Sequence, residues 1–369
     1  MKLNPSITFL DLNTEQQAFL EKLLSTPSPT GFEEAGQQIW INEVKDLADD
    51  IVTDPYGSAA ARIIIDKNKP TIILEAHCDE IGMMINHITE KGFLHVTRLG
   101  GSDATIARAK RVHIHTKNGI VLGVVGNTAI HLKDSSNNKQ PKWKELFIDI
   151  GVSSKEEALE LVKVGNPVTY ADDLEFLNED IVVGRAIDNR IGGYIIAEAF
   201  KILAEKRDQL NVNVAVVNSV QEEIGGFGAR MMTQRLNPNF ALVTDVTHAT
   251  DSPGINHAEH GLVKLGKGAA ITHGAANHPK FVQFIEEVAD KKDIAIQHEA
   301  TSVRTGTDTD SIYHQNGGIV SALISLPQRY MHSPSEMVSL TDVKSVTDLM
   351  INTVLAMENG QSFNILSID

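Results

Sequence analysis

The chain has 369 residues, 42% of them hydrophobic and 22% charged, which suits a globular protein of one large or two ordinary domains. Its formal net charge of −15 argues against a nucleic-acid partner, because such binding depends on Lys and Arg neutralising phosphates. No apolar run approaches the roughly 20 residues of a membrane span, and the single cysteine, Cys78, excludes an intrachain disulfide.

The N-terminal part predicts two helices followed by two strands. The first segment, MKLNPSITFLDLN, is too polar for a secretion signal, so we expect a cytoplasmic protein. Residues 14–26 predict an amphipathic helix, and a Pro/Gly break leads to a second helix near 33–48. Strands are expected at 61–65 and 70–76. The second is almost continuously apolar, as expected of a strand buried on both faces, and it ends at His77.

The pattern changes between about residues 83 and 174. Short alternating runs with Gly turns, such as KRVHIHTKNG, predict β-hairpins there. One helix is expected near 153–165, capped by Ser153 or Ser154. We therefore predict a β-rich insertion domain over 83–174 that interrupts a mixed-sheet α/β/α domain formed by residues 1–82 and 175–369.

The α/β pattern returns after the insertion. A helix is predicted at 188–206, strands at 211–219, 240–245 and 318–326, and a last helix at about 341–357. Sites in open α/β sheets gather at the carboxyl ends of the strands. Polar residues that follow or end the predicted strands are His77, Glu222, Glu223, Asp245 and His332, and Asp188 stands at a predicted helix start.

These residues have the composition of a two-metal hydrolase site. Imidazole and carboxylate ligands suit two divalent ions such as Zn²⁺ or Co²⁺. We predict that Asp188 bridges the ions, that His77 and Asp245 complete one site, and that Glu223 and His332 complete the other. A hydroxide held between the metals would be the nucleophile.

Two further carboxylates have predicted roles in catalysis. If the Glu222–Glu223 pair is locally extended, Glu222 points away from Glu223 and can act as the general base. Asp79 lies two residues after His77 and would accept the second imidazole N–H, which fixes the orientation of the ring.

Each residue also has a structural interpretation. A lone His after a strand, a Glu-Glu pair, or an Asp at a helix start is more often structural than catalytic, and strand alternation turns Cys78 into the core. His113 and His115 alternate on one strand with no carboxylate nearby, which favours a structural role. Four more histidines are candidates for a substrate pocket rather than ligands: His248, His257, His260 and His273.

Five motifs together resemble the motif series of the M42 metallo-aminopeptidases, the glutamyl and deblocking group that forms tetrahedral particles. They are AHCDEIG (76–82), GRAIDNRIGG (184–193), VQEEIGGFGA (220–229), TDVTHATDSPG (244–254) and RYMHSPSE (329–336). Stretches without catalytic residues, including LGGSDAT and TGTDTDS, extend the match over nearly the whole chain. Related peptidases of the M20 and M28 types have a much shorter gap between the first His and the bridging Asp.

The resemblance implies the same roles for the metal ligands, Glu222 and Asp79, and a cis peptide bond between Asp188 and Asn189. It also implies that the insertion is a dimerisation domain, that homodimers assemble into a homododecamer, and that the substrates are short peptides. Asn189 stands where many members have Asp, and it removes no ligand.

Two alternatives stay open at this point. A dimetal amidase, deacylase or glycan-related hydrolase could use the same scaffold, and a non-catalytic assembly protein could keep the fold. Neither the preferred N-terminal residue nor the native metal follows from the sequence.

Overall fold

The structure, a computed structural model, describes residues 12–132 and 140–366. Most of the polar N-terminal segment discussed above lies outside these residues. Within them the strands are β1 Asp50–Thr53, β2 Ala59–Ile63, β3 Thr71–His77, β4 Gly82–Ile88, β5 Leu94–Leu99, β6 Arg111–Thr116, β7 Gly119–Val125, β8 Phe147–Asp149, β9 Pro167–Tyr170, β10 Glu175–Phe176, β11 Ile181–Gly184, β12 Asn213–Ser219, β13 Phe240–His248, β14 Ala269–Gly274, β15 Ile296–Thr301, β16 Val320–Arg329 and β17 Glu336–Ser339.

The α-helices of the described residues range from one turn to nearly twenty residues. They are α1 Thr14–Ser25, α2 Glu34–Val44, α3 Ala104–Ala107, α4 Lys155–Leu161, α5 Ile187–Glu205, α6 Phe227–Leu236, α7 His257–His260, α8 Pro279–Lys292, α9 Thr309–Ile312 and α10 Leu340–Ala356. None of these helices combines the length and apolar character needed to cross a bilayer.

A mixed sheet of eleven strands forms the centre of the molecule. Its main path runs β1-β2-β12-β3-β13-β16-β17-β11-β10, and β14 and β15 extend from β16. The four central strands β12, β3, β13 and β16 are parallel to one another. Their carboxyl ends therefore meet at one edge of the sheet, which is where the sequence predicts the functional residues.

Helices cover both faces of this sheet, as the burial of β3 on both of its faces shows. Ile72, Leu74 and Ala76 belong to the larger core, which α1, α2, α5, α8 and α10 cover. Ile73 points to the opposite face and packs with Ala229 of α6. Because successive side chains of a strand point to opposite faces, an almost wholly apolar strand fits this three-layer arrangement. The predicted mixed α/β fold is confirmed.

The predicted β-rich insertion is a closed six-stranded barrel in the order β4-β5-β8-β7-β6-β9. All of its strand pairs are antiparallel, and it has an apolar core of its own that includes Met83, Ile114 and Val168. Its helix α4 is capped by Ser154, whose Oγ accepts a hydrogen bond from the Glu157 N–H at 3.2 Å.

Candidate metal centre

The predicted ligands converge at the carboxyl edge of the central strands. His77 is the last residue of β3, and Asp245 lies within β13 opposite Ser325 of β16. Glu223 lies in a 3₁₀ turn directly after β12, and His332 follows β16. The sheet therefore brings together residues that are far apart along the chain.

Asp188 reaches the same point from the start of α5. The expected cis peptide bond between Asp188 and Asn189 is present, and both residues depart from helical geometry. The Asn189 side chain donates from Nδ2 to the Thr244 carbonyl at 2.8 Å, which ties the first turn of α5 to β13. The Asp188 carboxylate is thereby held beside the ends of the parallel strands.

The ligands form two triads that share Asp188. In the first, His77 Nε2 lies 3.3 Å from Asp188 Oδ1 and 3.7 Å from Asp245 Oδ1. In the second, His332 Nε2 lies 3.2 Å from Asp188 Oδ2 and 3.5 Å from Glu223 Oε1. Within each triad all donor atoms lie within 4.8 Å of one another. Because Asp188 presents a different oxygen to each triad, it has the geometry of a bridging carboxylate.

These distances fit a borderline divalent ion. Zn–N bonds of 2.0–2.1 Å in a tetrahedral site place the ligand atoms about 3.3–3.4 Å apart. In addition, Glu223 Oε1 is buried and accepts no hydrogen bond from any residue that the structure describes. Buried polar atoms are normally satisfied, and a cation would satisfy this one. The donor set therefore fits two metal ions.

The electrostatics also favour positive charge at this point. Burial raises the pKa of Glu223 to about 7, with the Asp188 charge adding to the effect. Burial alone would lower the pKa of His332, but the nearby carboxylates of Asp188 and Glu223 raise it to about 11. The centre thus holds more carboxylate charge than its two imidazoles can neutralise without taking up protons. Two divalent ions would supply the missing charge.

Glu222 faces the first triad, although its backbone differs from our expectation. We expected a locally extended pair, but Glu222–Ile224 form a 3₁₀ turn after Gln221, whose φ is +62°. The Glu222 side chain is 14% exposed, and its Oε2 lies 3.8 Å from His77 Nε2. Burial raises the pKa of this carboxyl well above its ordinary value; His77 opposes the shift, while Asp308 adds to it. A carboxylate with a raised pKa beside the two triads is suited to accepting and returning a proton.

Asp79 explains the turn as well as the orientation of His77. Its Oδ1 lies 3.3 Å from His77 Nδ1, which agrees with the expected contact, and its backbone carbonyl oxygen lies 3.2 Å from the same nitrogen. Its two oxygens also accept the Glu222 N–H at 2.9 Å and the Glu223 N–H at 3.2 Å, and Oδ2 accepts the Thr30 hydroxyl at 2.9 Å. Because both backbone N–H groups point at one carboxylate, the pair curls into a turn instead of extending. One buried side chain therefore positions one predicted ligand from each triad and the predicted base.

Two features of the site were not predicted from the sequence. The buried carboxylate of Glu336 accepts the Asp188 N–H at 3.0 Å and the His332 N–H at 2.9 Å, so it holds the predicted bridging residue and a predicted terminal ligand together. Gly100 and Gly101, in the loop after β5 of the barrel, lie against Glu223 and His332. A Cβ on Gly101 would lie 2.4 Å from His332 Nδ1. The position of Glu336 within RYMHSPSE and the double glycine of LGGSDAT were the only signals in the sequence.

The centre opens into a cleft of about 690 Å³. Besides ligand residues and Glu222, its lining includes His248 and two exposed arginines, Arg230 and Arg304. The other candidate histidines lie elsewhere: His257 Nε2 is 2.8 Å from the Thr250 carbonyl oxygen, and neither it nor His260 lines the cleft. Cys78 is buried, as expected, and His115 Nε2 of β6 contacts the Thr169 hydroxyl of β9 at 2.8 Å.

The chain is similar in sequence and fold to known proteins. The profile of the M42 glutamyl aminopeptidase family matches residues 57–349. A lysyl aminopeptidase of Pyrococcus furiosus is 32% identical over 334 residues, which cover 89% of this chain and 94% of that protein. The structure of an aminopeptidase from the archaeon Desulfurococcus kamchatkensis gives a TM-score of 0.87 at 31% identity, covering 94% of this chain and 97% of that one. The TET1 peptidase of Pyrococcus horikoshii, described as assembling into a tetrahedron or a large octahedral shell, gives 0.83 at 31% identity, covering 93% and 100%.

Proposed function

The chain belongs to the M42 glutamyl aminopeptidase family, and on that premise we propose that it removes N-terminal residues from short peptides at a centre for two Zn²⁺ or Co²⁺ ions. The family's peptidases are dimetal enzymes, and this chain has the matching donor set. The observation that carries the proposal is the pair of triads that share one carboxylate. Their members would be the ligands: His77, Asp188 and Asp245 for one ion, and Asp188, Glu223 and His332 for the other.

The residues around the ions would handle the proton and hold the ligands in place. When bound, the two metals lower the pKa of a water molecule and polarise the scissile carbonyl. Glu222 takes the proton from the attacking water and returns it to the leaving amine. Asp79 keeps His77 oriented through Nδ1 and keeps the Glu222 backbone in its turn.

Replacing Glu222 by Gln tests the role of the base. The amide cannot accept the proton, so we expect kcat to fall by roughly 10²–10⁴-fold, while metal content measured by elemental analysis stays unchanged. Glu223→Gln is the matched control, because it alters the adjacent residue but is expected to reduce metal content as well as kcat. Aminoacyl-anilide turnover by E222Q at the wild-type rate would refute the assignment of Glu222.

The same proposal includes a homo-oligomer in which the barrel pairs two subunits. The outer face of β7 presents three apolar side chains in alternation, Ile120, Leu122 and Val124, which are 54%, 69% and 45% exposed. A contiguous apolar strand face of this kind is typical of a surface that another molecule covers. We propose homodimers that assemble into a dodecamer, and Leu122→Asp should shift the mass measured by light scattering towards monomers. A cytoplasmic location is part of the proposal and rests on the sequence alone.

A further inference from the structure

A second cluster of metal-binding side chains lies in the part of the sheet formed by β14 and β15. His273 is on β14, His298 is on the neighbouring parallel strand β15, and Glu286 is on α8, which covers them. The register pairs Ile271 with His298 and His273 with Ala300, so both imidazoles are on the face that packs against α8. None of the three residues lines the active-site cleft.

The three donor atoms point at one another. His273 Nε2 lies 3.0 Å from His298 Nδ1, and Glu286 Oε1 lies 3.6 Å from the first and 3.5 Å from the second. A hydrogen bond can account for the contact between the imidazoles, but the distances to Glu286 are too long for one. The carboxylate oxygen is therefore placed near both rings without bonding to either.

This arrangement matches the spacing of ligands around a small divalent ion. Bonds of about 2.0–2.2 Å to nitrogen and oxygen in a tetrahedral site separate neighbouring ligand atoms by about 3.3–3.5 Å. In the cluster the distance of 3.5 Å is at the upper end of that range, 3.6 Å is just above it, and the 3.0 Å between the imidazoles is below it. Two imidazoles and one carboxylate favour Zn²⁺ over Mg²⁺ or Ca²⁺, which prefer oxygen ligands.

We propose that His273, Glu286 and His298 form a separate Zn²⁺ site at the edge of the sheet. Their side chains are 45%, 31% and 54% exposed, so an ion can reach them from solvent and keep a water molecule as its fourth ligand. In the described residues β15 pairs only with β14. An ion held by both strands and by α8 would fasten this edge strand to the helix that covers it.

Zinc counting on the purified enzyme tests the proposal. Wild type and His298→Ala are dialysed against the same Zn²⁺ buffer, and bound zinc per chain is measured by elemental analysis. We expect H298A to bind one equivalent less than wild type, with aminopeptidase activity and circular dichroism unchanged. Glu286→Gln should weaken binding of this one equivalent by roughly tenfold or more, because the neutral amide is a poorer ligand.

His95→Ala is the matched control. His95 lies on β5 directly opposite His87 of β4, with ring centroids 6.1 Å apart, so it belongs to another pair of histidines on neighbouring strands. No third donor joins that pair in any of the metal-binding groups found among the described residues. H95A should therefore keep the wild-type zinc content.

The result can be interpreted whatever the metal content of the catalytic centre. The measured quantity is the difference between wild type and H298A, which is one equivalent even if the catalytic centre holds two ions, one ion or none. Equal zinc content in wild type and H298A would overturn the proposal, and so would an equal loss in H95A. If E222Q loses peptidase activity while the zinc difference between wild type and H298A is still one equivalent, the proposed zinc site is independent of the catalytic centre.

Discussion

Replacing Asp79 by Asn separates the positioning of the site from the reaction itself. The Asp79 carboxylate receives four contacts, from His77 Nδ1, the Glu222 and Glu223 N–H groups and the Thr30 hydroxyl. Asn keeps one oxygen and replaces the other with an NH₂ group. That group cannot accept a hydrogen bond, so at least one buried donor loses its partner whichever way the amide is oriented.

The expected magnitude follows from the contacts that are lost. A hydrogen bond to a charged acceptor contributes about 1.5–3 kcal/mol, and an unsatisfied buried donor has a similar cost. A change of about 2–3 kcal/mol in the arrangement of His77 and Glu222 corresponds to roughly 30- to 150-fold. Replacing the partner of a metal-binding His typically lowers metal affinity or activity by about 10–100-fold. We therefore expect kcat/KM of D79N to fall by roughly 10²-fold.

The assay combines steady-state kinetics with a metal titration, and Asp54→Asn is the matched control. Asp54 Oδ1 accepts N–H groups from Tyr56 at 2.7 Å, Gly57 at 2.9 Å and Ser58 at 3.2 Å, but Asp54 does not line the cleft. In D54N the amide oxygen can still accept all three N–H groups and only the negative charge is lost, so D54N should lower the thermal midpoint slightly and keep kcat/KM and metal affinity.

The comparison can also fail in a clear way. If D79N and D54N lose the same stability and D79N keeps wild-type kcat/KM, Asp79 stabilises the fold only. That outcome would refute the argument that the turn of Glu222 depends on this carboxylate.

Three further predictions concern the site and one buried acid. Glu336→Ala removes the acceptor for the Asp188 and His332 N–H groups. Metal affinity, measured by titration, and kcat should therefore both fall by roughly tenfold or more. Unchanged values would refute the positioning role of Glu336. Gly101→Ala places a Cβ 2.4 Å from His332 Nδ1, so His332 must shift. Turnover should fall, while the secondary structure measured by circular dichroism stays unchanged. Full activity would show that the loop at Gly100–Gly101 moves instead of His332. Burial raises the pKa of Asp342 from 3.8 to about 6, so the folded state binds more protons than the unfolded state between these values. Stability should therefore fall by about 3 kcal/mol in total as the pH rises from roughly 3 to 7. A series of thermal midpoints over this range should show a smaller fall in Asp342→Asn, and equal slopes would contradict the shift.

The strand ends were predictable because the pattern and the chemistry coincide there. The apolar run that becomes β3 is buried on both faces and stops at His77, and β13 carries Asp245 near its end. Parallel strands bring their carboxyl ends to one edge of the sheet, so the polar residues at these ends lie close together and can form a shared site. The β-rich insertion was also predictable, because the hydrophobic pattern of the sequence changes its period there.

The remaining features depend on contacts between distant segments. The turn at Glu222 forms because Asp79, 143 residues earlier, accepts its N–H, and no local signal at Glu222 indicates this. The sequence suggested His273 as a candidate for the substrate pocket, whereas the pairing of β14 with β15 places it beside His298. Strand register and helix placement decide such contacts, and neither can be read from a short window of sequence.

The position of the barrel in the chain has a physical consequence for the site. It is inserted between the first proposed ligand, His77, and the proposed bridging residue, Asp188, which are 188 − 77 = 111 residues apart. Because β4 begins five residues after His77, the barrel is held next to the metal centre, and its loop at Gly100–Gly101 packs against Glu223 and His332. The proposed dimerisation surface and this part of the cleft wall therefore belong to the same barrel. A subunit contact that shifts the barrel would also move this wall. A variant of β7 that dissociates the oligomer should therefore change KM for peptides, even though β7 contains none of the proposed catalytic residues.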